Sequence, residues 1–120
     1  MTPLFPVMAG GAIGAALRYW ASVALPPRSG WPLSTLAVNI LGGLLMGLLA
    51  AHVMKGSASE AMRLFAGVGI LGGFTTFSAF SLESFRMIEG GQWGLAASYA
   101  AVSVLASIGA VALGFALVRA

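Results

Sequence analysis

The chain has 120 residues, 59% of them hydrophobic and only 8% charged, with a mean hydropathy of +0.97. Soluble domains carry about 25% charged residues, and so short a chain has too little interior to hide this much apolar surface; an aqueous fold is excluded and a bilayer takes the place of solvent. The absence of cysteine excludes disulfides and thiolate metal sites, and the six Lys and Arg behind a net charge of +3 are scattered, with no basic face for nucleic acid.

The opening Met1-Thr2-Pro3-Leu4-Phe5-Pro6 has neither a positive n-region nor a small-residue cleavage site, so no cleaved signal is expected. A membrane-crossing helix needs about 20 mostly apolar residues. The first such stretch runs over about 4–25, with Pro6 at an early helical position, and stops at Pro26-Pro27-Arg28-Ser29-Gly30. The second covers about 32–54 and ends in Lys55-Gly56-Ser57, the third about 61–88, ending in Glu89-Gly90-Gly91-Gln92, and the fourth about 93–118. The connections are short, so residues 1–120 are expected to form a single four-helix transmembrane domain. Trp20, Trp31 and Trp93 fall toward span ends, where aromatic belts sit.

Four spans put both ends of the chain on one side of the membrane. Lys55, Arg63 and Arg119 then share that side, Arg28 and Arg86 lie opposite, and Arg18 is near an end of the first span. Orientation is set by unequal Lys and Arg; with so even a balance, dual topology is expected, copies inserting both ways. The two halves of two helices each run the same way, so the chain cannot supply the inverted repeat from which many transporters build a midplane site. An antiparallel homodimer can.

Gly10 and Gly14, Gly43 and Gly47, and Gly69 and Gly73 form small-xxx-small pairs suited to close helix packing. Arg18 continues the first face, where a cation either snorkels or lines water. On the second span Asn39 offers two donors and an acceptor; an interhelical hydrogen bond and a place on a pathway both fit it, and Thr35 is a weaker candidate of the same kind. Gly72-Gly73-Phe74-Thr75-Thr76-Phe77-Ser78-Ala79-Phe80 is poor helix material near the middle of the third span. A break there is tolerated only if buried in protein or lining a site, where freed carbonyls hold cations; a continuous helix with Thr and Ser bonded back to the preceding turn is the other reading.

Phe77 and Phe80 lie on neighbouring parts of one helical face, as core residues do, but their electropositive ring edges also accept an anion without a fixed charge that would trap it. Tyr99, Ser103 and Ser107 recur every four residues along the fourth span, a stripe of hydroxyls for packing or for an anion. Glu83 falls near the end of the third span, so the span interiors are expected to hold donors but no acid, which favours an anion over a proton or metal cation. His52, the one histidine, is placed at the interface.

These residues resemble the Fluc/CrcB fluoride channels along nearly the whole chain: Gly10-Gly11-Ala12-Ile13-Gly14 with Arg18-Tyr19, Thr35 with Asn39 and Gly42-Gly43, and above all residues 72–80 followed by Glu83. The family's usual Thr is replaced by Ala79. The resemblance implies an antiparallel homodimer with two separate fluoride pathways in the bacterial inner membrane, exporting fluoride passively from the cytoplasm. It implies that Asn39, Phe77 and Phe80 contact fluoride, that Tyr99, Ser103 and Ser107 continue a polar track, and that Arg18 lines a vestibule. It further implies a structural sodium ion held by the Gly72 and Thr75 carbonyls of both subunits. The nearest rival is a small four-helix multidrug-type transporter, which needs a carboxylate in its first span; none is present there. An intramembrane enzyme would require a nucleophile and base within reach, for which one interfacial His and three Glu are poor material.

Overall fold

The computed structural model describes residues 3–119, and among them the secondary structure is helical, with no strand longer than an isolated bridge. Helix α1 (Leu4–Ala24) stops before Pro26-Pro27, because the residue before a proline is driven out of helical geometry. A tight turn follows, in which Arg28 and Trp31 exchange both backbone hydrogen bonds (3.0 and 2.9 Å) around Ser29 and Gly30 at φ 53° and 82°. Helix α2 (Leu33–Met54) ends at Lys55 and Gly56, the glycine at φ 76°, as helix ends commonly do. Ser59 caps the next helix by accepting from the Met62 amide (3.1 Å), with Glu60 in its first turn, where a negative charge is favoured.

That helix, α3 (60–74), is α-helical at both ends and π-helical over Arg63–Leu71, a wide winding rare in proteins. Thr75 and Thr76 are extended (φ −92°, ψ 158° and φ −153°, ψ 121°), and helix α4 (Phe77–Glu89) begins after them. Helix α5 (Trp93–Arg119) closes the chain after a turn with Gly91 at φ 79°.

Two parallel pairs build the bundle: α1 lies along α3, and α2 along α5. Glycines make this possible. A Cβ on Gly10 would strike the Phe65 carbonyl, one on Gly14 the Ile70 carbonyl, and one on Gly73 would lie 2.6 Å from the Gly11 oxygen. In the second pair, Cβ atoms on Gly47 and Gly114 would strike the Val111 and Leu44 carbonyls, and one on Gly43 would lie 2.8 Å from the Ser107 oxygen. The small-residue pairs legible in the sequence are therefore places where backbone meets backbone, the contact that drives association where lipid offers no hydrophobic gain. Lys55 ties the second pair at its far end, its Nζ donating to the Val118 carbonyl at 2.7 Å.

The longest dimension is 48 Å, enough to cross a bilayer with its headgroups. Leu105, Ile108, Leu113 and Leu117 on α5 are each more than half exposed, the outward-facing apolar surface of a protein solvated by lipid. Among the described residues, three helical stretches are long and apolar enough to cross a membrane: Leu33–Met54, Glu60–Glu89 and Trp93–Arg119. The four-span expectation thus meets a difference at α1: its 21 residues form a helix that is not among the three, because Arg18, Pro6 and the Tyr19-Trp20 pair dilute its apolar residues.

Two glycines on α5 and its partner separate packing from propensity. Gly47→Leu is expected to destabilise by at least about 1–3 kcal/mol through overpacking. Gly109→Ala, with nothing within 4 Å of the new Cβ, is expected to stabilise by up to about 1 kcal/mol through helix propensity. Thermal unfolding in detergent, followed by circular dichroism, checks both signs.

Candidate functional site

Extended geometry at Thr75 and Thr76 takes backbone groups out of the helical ladder, and at membrane depth each must find another partner. The Thr75 amide keeps its ladder bond to the Leu71 carbonyl (3.0 Å), and its Oγ1 donates to the same oxygen (2.9 Å). Thr76 is held from across the bundle. Its amide donates to Asn39 Oδ1 at 2.9 Å, and its carbonyl accepts from Asn39 Nδ2 at 3.1 Å. One side-chain amide thus replaces the two ladder bonds of one residue, and it still has a second N–H. The Gly73 carbonyl accepts from Arg18 Nε (3.1 Å), so the α1 cation turns onto the break. Thr76 Oγ1 caps α4 by accepting from the Ala79 amide at 3.1 Å.

The break has a polarity. The C-terminal end of α3 carries partial negative charge and the N-terminal end of α4 partial positive charge. Exposed carbonyls on one side are oxygen ligands suited to a hard cation. On the other side, amides and ring edges suit an anion.

That second side opens into a cleft of about 430 Å³ lined by Asn39, Thr75, Phe77, Phe80, Ser103 and Ser107 among apolar residues. The Phe77 and Phe80 ring centroids are 5.6 Å apart at 44°, and Phe80 continues to Tyr99 at 5.2 Å and 44°. The Oγ atoms of Ser103 and Ser107 are buried without a hydrogen-bond partner. A buried hydroxyl left unpaired is costly unless something in the cleft accepts from it. Among the described residues, no Lys, Arg, Asp or Glu lines this cleft.

Thr35 and Tyr99 are placed differently. Thr35 Oγ1 and Tyr99 OH each donate to Glu83, at 2.7 Å to Oε2 and 2.7 Å to Oε1. Tyr99 is fully buried and meets Trp31 edge-on, centroids 5.9 Å apart. The expectation of span interiors without an acid is corrected here: Glu83 is part-buried, and its carboxylate is the shared acceptor of two hydroxyls. Its position near a span end concealed this. The default meaning of an ionisable group inside a membrane protein was the available signal. Glu83, Thr35, Thr76 and Arg18 line a second cleft of about 310 Å³. Gly72 lines a third cleft with Met46, Arg63 and Gly67, and Met46 also borders the cleft of Asn39 and the serines. His52 is exposed at the end of α2, its Nδ1 3.0 Å from Ser57 Oγ.

A family model described as "CrcB-like protein, Camphor Resistance (CrcB)" matches residues 5–115. The chain is 46% identical over 123 residues to a protein of Novosphingobium aromaticivorans named "Fluoride-specific ion channel FluC", covering 99% of this chain and 98% of the relative. It is 47% identical to a protein of the same name from Sphingopyxis alaskensis, covering 99% and 97%. A third, from Erythrobacter litoralis, is 50% identical, covering 94% and 89%. With its three strongly apolar helical stretches the chain is a multi-pass membrane protein. The family match reaches every helix and covers all the clefts described above, and the chain belongs to the CrcB family.

Proposed function

We propose that this chain is the subunit of a passive, fluoride-selective channel. It works as an antiparallel, dual-topology homodimer in the bacterial inner membrane, with two pathways that carry fluoride out of the cytoplasm. The observation that carries this reading is the cleft of Asn39, Phe77, Phe80, Ser103 and Ser107. It combines two buried serine hydroxyls lacking partners, a spare Asn39 N–H and two aromatic edges, with no fixed charge. Such donors replace part of a small anion's hydration shell while letting it leave again. Proteins 46–47% identical over nearly the whole chain bear the name of fluoride-specific channels, which supports the choice of anion.

The geometry separates charge from conduction. Arg18 raises local anion concentration at the smaller cleft, and Glu83 in the same cleft limits how tightly an anion is held there. From that end the anion passes Phe80 toward the serines of α5. Phe77 is 78% exposed on the single chain, at the edge of the larger cleft, which supports a second copy closing the pathway there. The third span is read as α3 and α4 together, broken near the midplane at Thr75 and Thr76, with α1 as the fourth span. Across the dimer axis the Gly72 and Thr75 carbonyls of both copies would hold a structural sodium ion, which supplies positive charge for the carbonyl oxygens freed at the break. A multidrug-type transporter is disfavoured because α1 has no acid and both oxygens of Glu83 are occupied by hydroxyls.

Three outcomes follow. Liposomes holding the purified protein are expected to lose fluoride rapidly and chloride slowly, read with ion-selective electrodes; retention of fluoride by folded protein overturns the channel reading. Ser103→Ala and Ser107→Ala each remove a donor to an anion, a contact of about 1.5–3 kcal/mol, and are expected to slow fluoride efflux by about 10–100-fold. Tyr99→Phe deprives Glu83 Oε1 of its donor and is expected to cost about 1–3 kcal/mol of stability, seen as a lowered unfolding temperature.

A further inference from the structure

In an uninterrupted helix the Gly72 carbonyl accepts from the Thr76 amide and the Thr75 carbonyl from the Ala79 amide, four residues on. Neither bond forms. The Thr76 amide is taken by Asn39 Oδ1 (2.9 Å) and the Ala79 amide by Thr76 Oγ1 (3.1 Å). Other carbonyls around the break have donors: Leu71 receives Thr75, Gly73 receives Arg18 Nε, and Thr76 receives Asn39 Nδ2. The Gly73 and Phe74 carbonyls lose their helical donors at the break as well; Gly72 and Thr75 are the two whose donors are captured by the Asn39 and Thr76 side chains, and on the sodium reading they are the two that face the cation.

We infer that Asn39 and Thr76 are positioning residues for the cation: by capturing these two amides, their side chains keep the Gly72 and Thr75 carbonyls free to coordinate it. The inference rests on the sodium reading given above. Asn39 also lines the anion cleft, so one side chain serves both ions, and the cation site and pathway share a single structural support. Without the Asn39 amide, the Thr76 N–H has only the Gly72 carbonyl to return to, and the helix closes over the site. Without Thr76 Oγ1, the Ala79 amide does the same to Thr75.

The test is the sodium dependence of the thermal unfolding midpoint of purified full-length protein in detergent. Sodium chloride is exchanged against N-methyl-D-glucamine chloride at constant ionic strength. Sodium that binds only the folded protein raises the wild-type midpoint. Asn39→Leu is expected to weaken the apparent sodium affinity about 10–100-fold, the usual cost of losing an outer partner of a metal site. Asn39→Asp keeps an oxygen for the Thr76 amide and is expected to retain the response. Thr76→Val is expected to weaken it and Thr76→Ser to keep it, a pair that decides the matter should Asn39→Leu not fold. A wild-type sodium response in both Asn39→Leu and Thr76→Val overturns the inference. So does a wild-type protein indifferent to sodium, and fluoride efflux by that same protein then shows that the cation assignment failed while the channel reading stands.

Discussion

A peptide group withdrawn from its helix inside a membrane has no water to turn to, and leaving it unsatisfied costs several kcal/mol. The Thr76 peptide is in this position, and Asn39 satisfies it twice over, donor to carbonyl and acceptor to amide. That one side chain has to arrive from a different helix, 37 residues away, at a separation good to a few tenths of an ångström. Much of the remaining architecture can be understood as holding α2 and the break at that separation. Gly43 and Gly47 set α2 against α5, while Gly10, Gly14, Gly69 and Gly73 set α3 against α1. Arg18 then braces the break from the α1 side through the Gly73 carbonyl.

Breaking a helix in this way creates two opposite electrostatic surfaces within a few residues. Carbonyl oxygens collect where α3 ends, and the partly positive start of α4 sits under Phe77 and Phe80. Formal charge is kept to the margins: Arg18 and Glu83 share the smaller cleft, and the larger one has none. On the proposed channel reading, an ion in the larger cleft would be held by dipoles, hydroxyls and ring edges, weakly enough to move, which a buried Lys or Arg would prevent. Glu83 acts on this arrangement from outside the cleft. By accepting from Thr35 and Tyr99 it ties α2, α4 and α5 together, and Tyr99 in turn supports the Phe80 ring.

Much was legible from residue order alone. Composition decided the solvent, apolar run length decided the helices to within a residue or two, and glycine spacing marked the faces where backbones touch. Gly72-Gly73 with Thr75-Thr76 is poor helix material, and a back-bonded continuous helix fitted the same residues; Thr75 carries that back-bond, and Thr75 and Thr76 have extended dihedrals. Ser103 and Ser107 reach the cleft with Asn39, Phe77 and Phe80, while Tyr99 and Thr35, grouped with them by type, turn to Glu83 instead. The π-helical winding of Arg63–Leu71 had no sequence signal that we can identify.

What the sequence determined by itself was therefore local: hydrophobicity, helical period, and which residues are too small or too flexible to behave as ordinary helix. These follow from chain-neighbour sterics and transfer free energy, and need no knowledge of other helices. What only the tertiary structure decided was which polar group answers which. Asn39 with Thr76, Thr35 and Tyr99 with Glu83, and Arg18 with Gly73 join residues 16 to 55 positions apart. Such pairings depend on how the two parallel helix pairs slide and rotate against each other, and that is set by backbone contacts at glycine faces. A hydrogen bond requires its partners within about 3 Å, a tolerance that a pattern of residue types along one chain cannot specify.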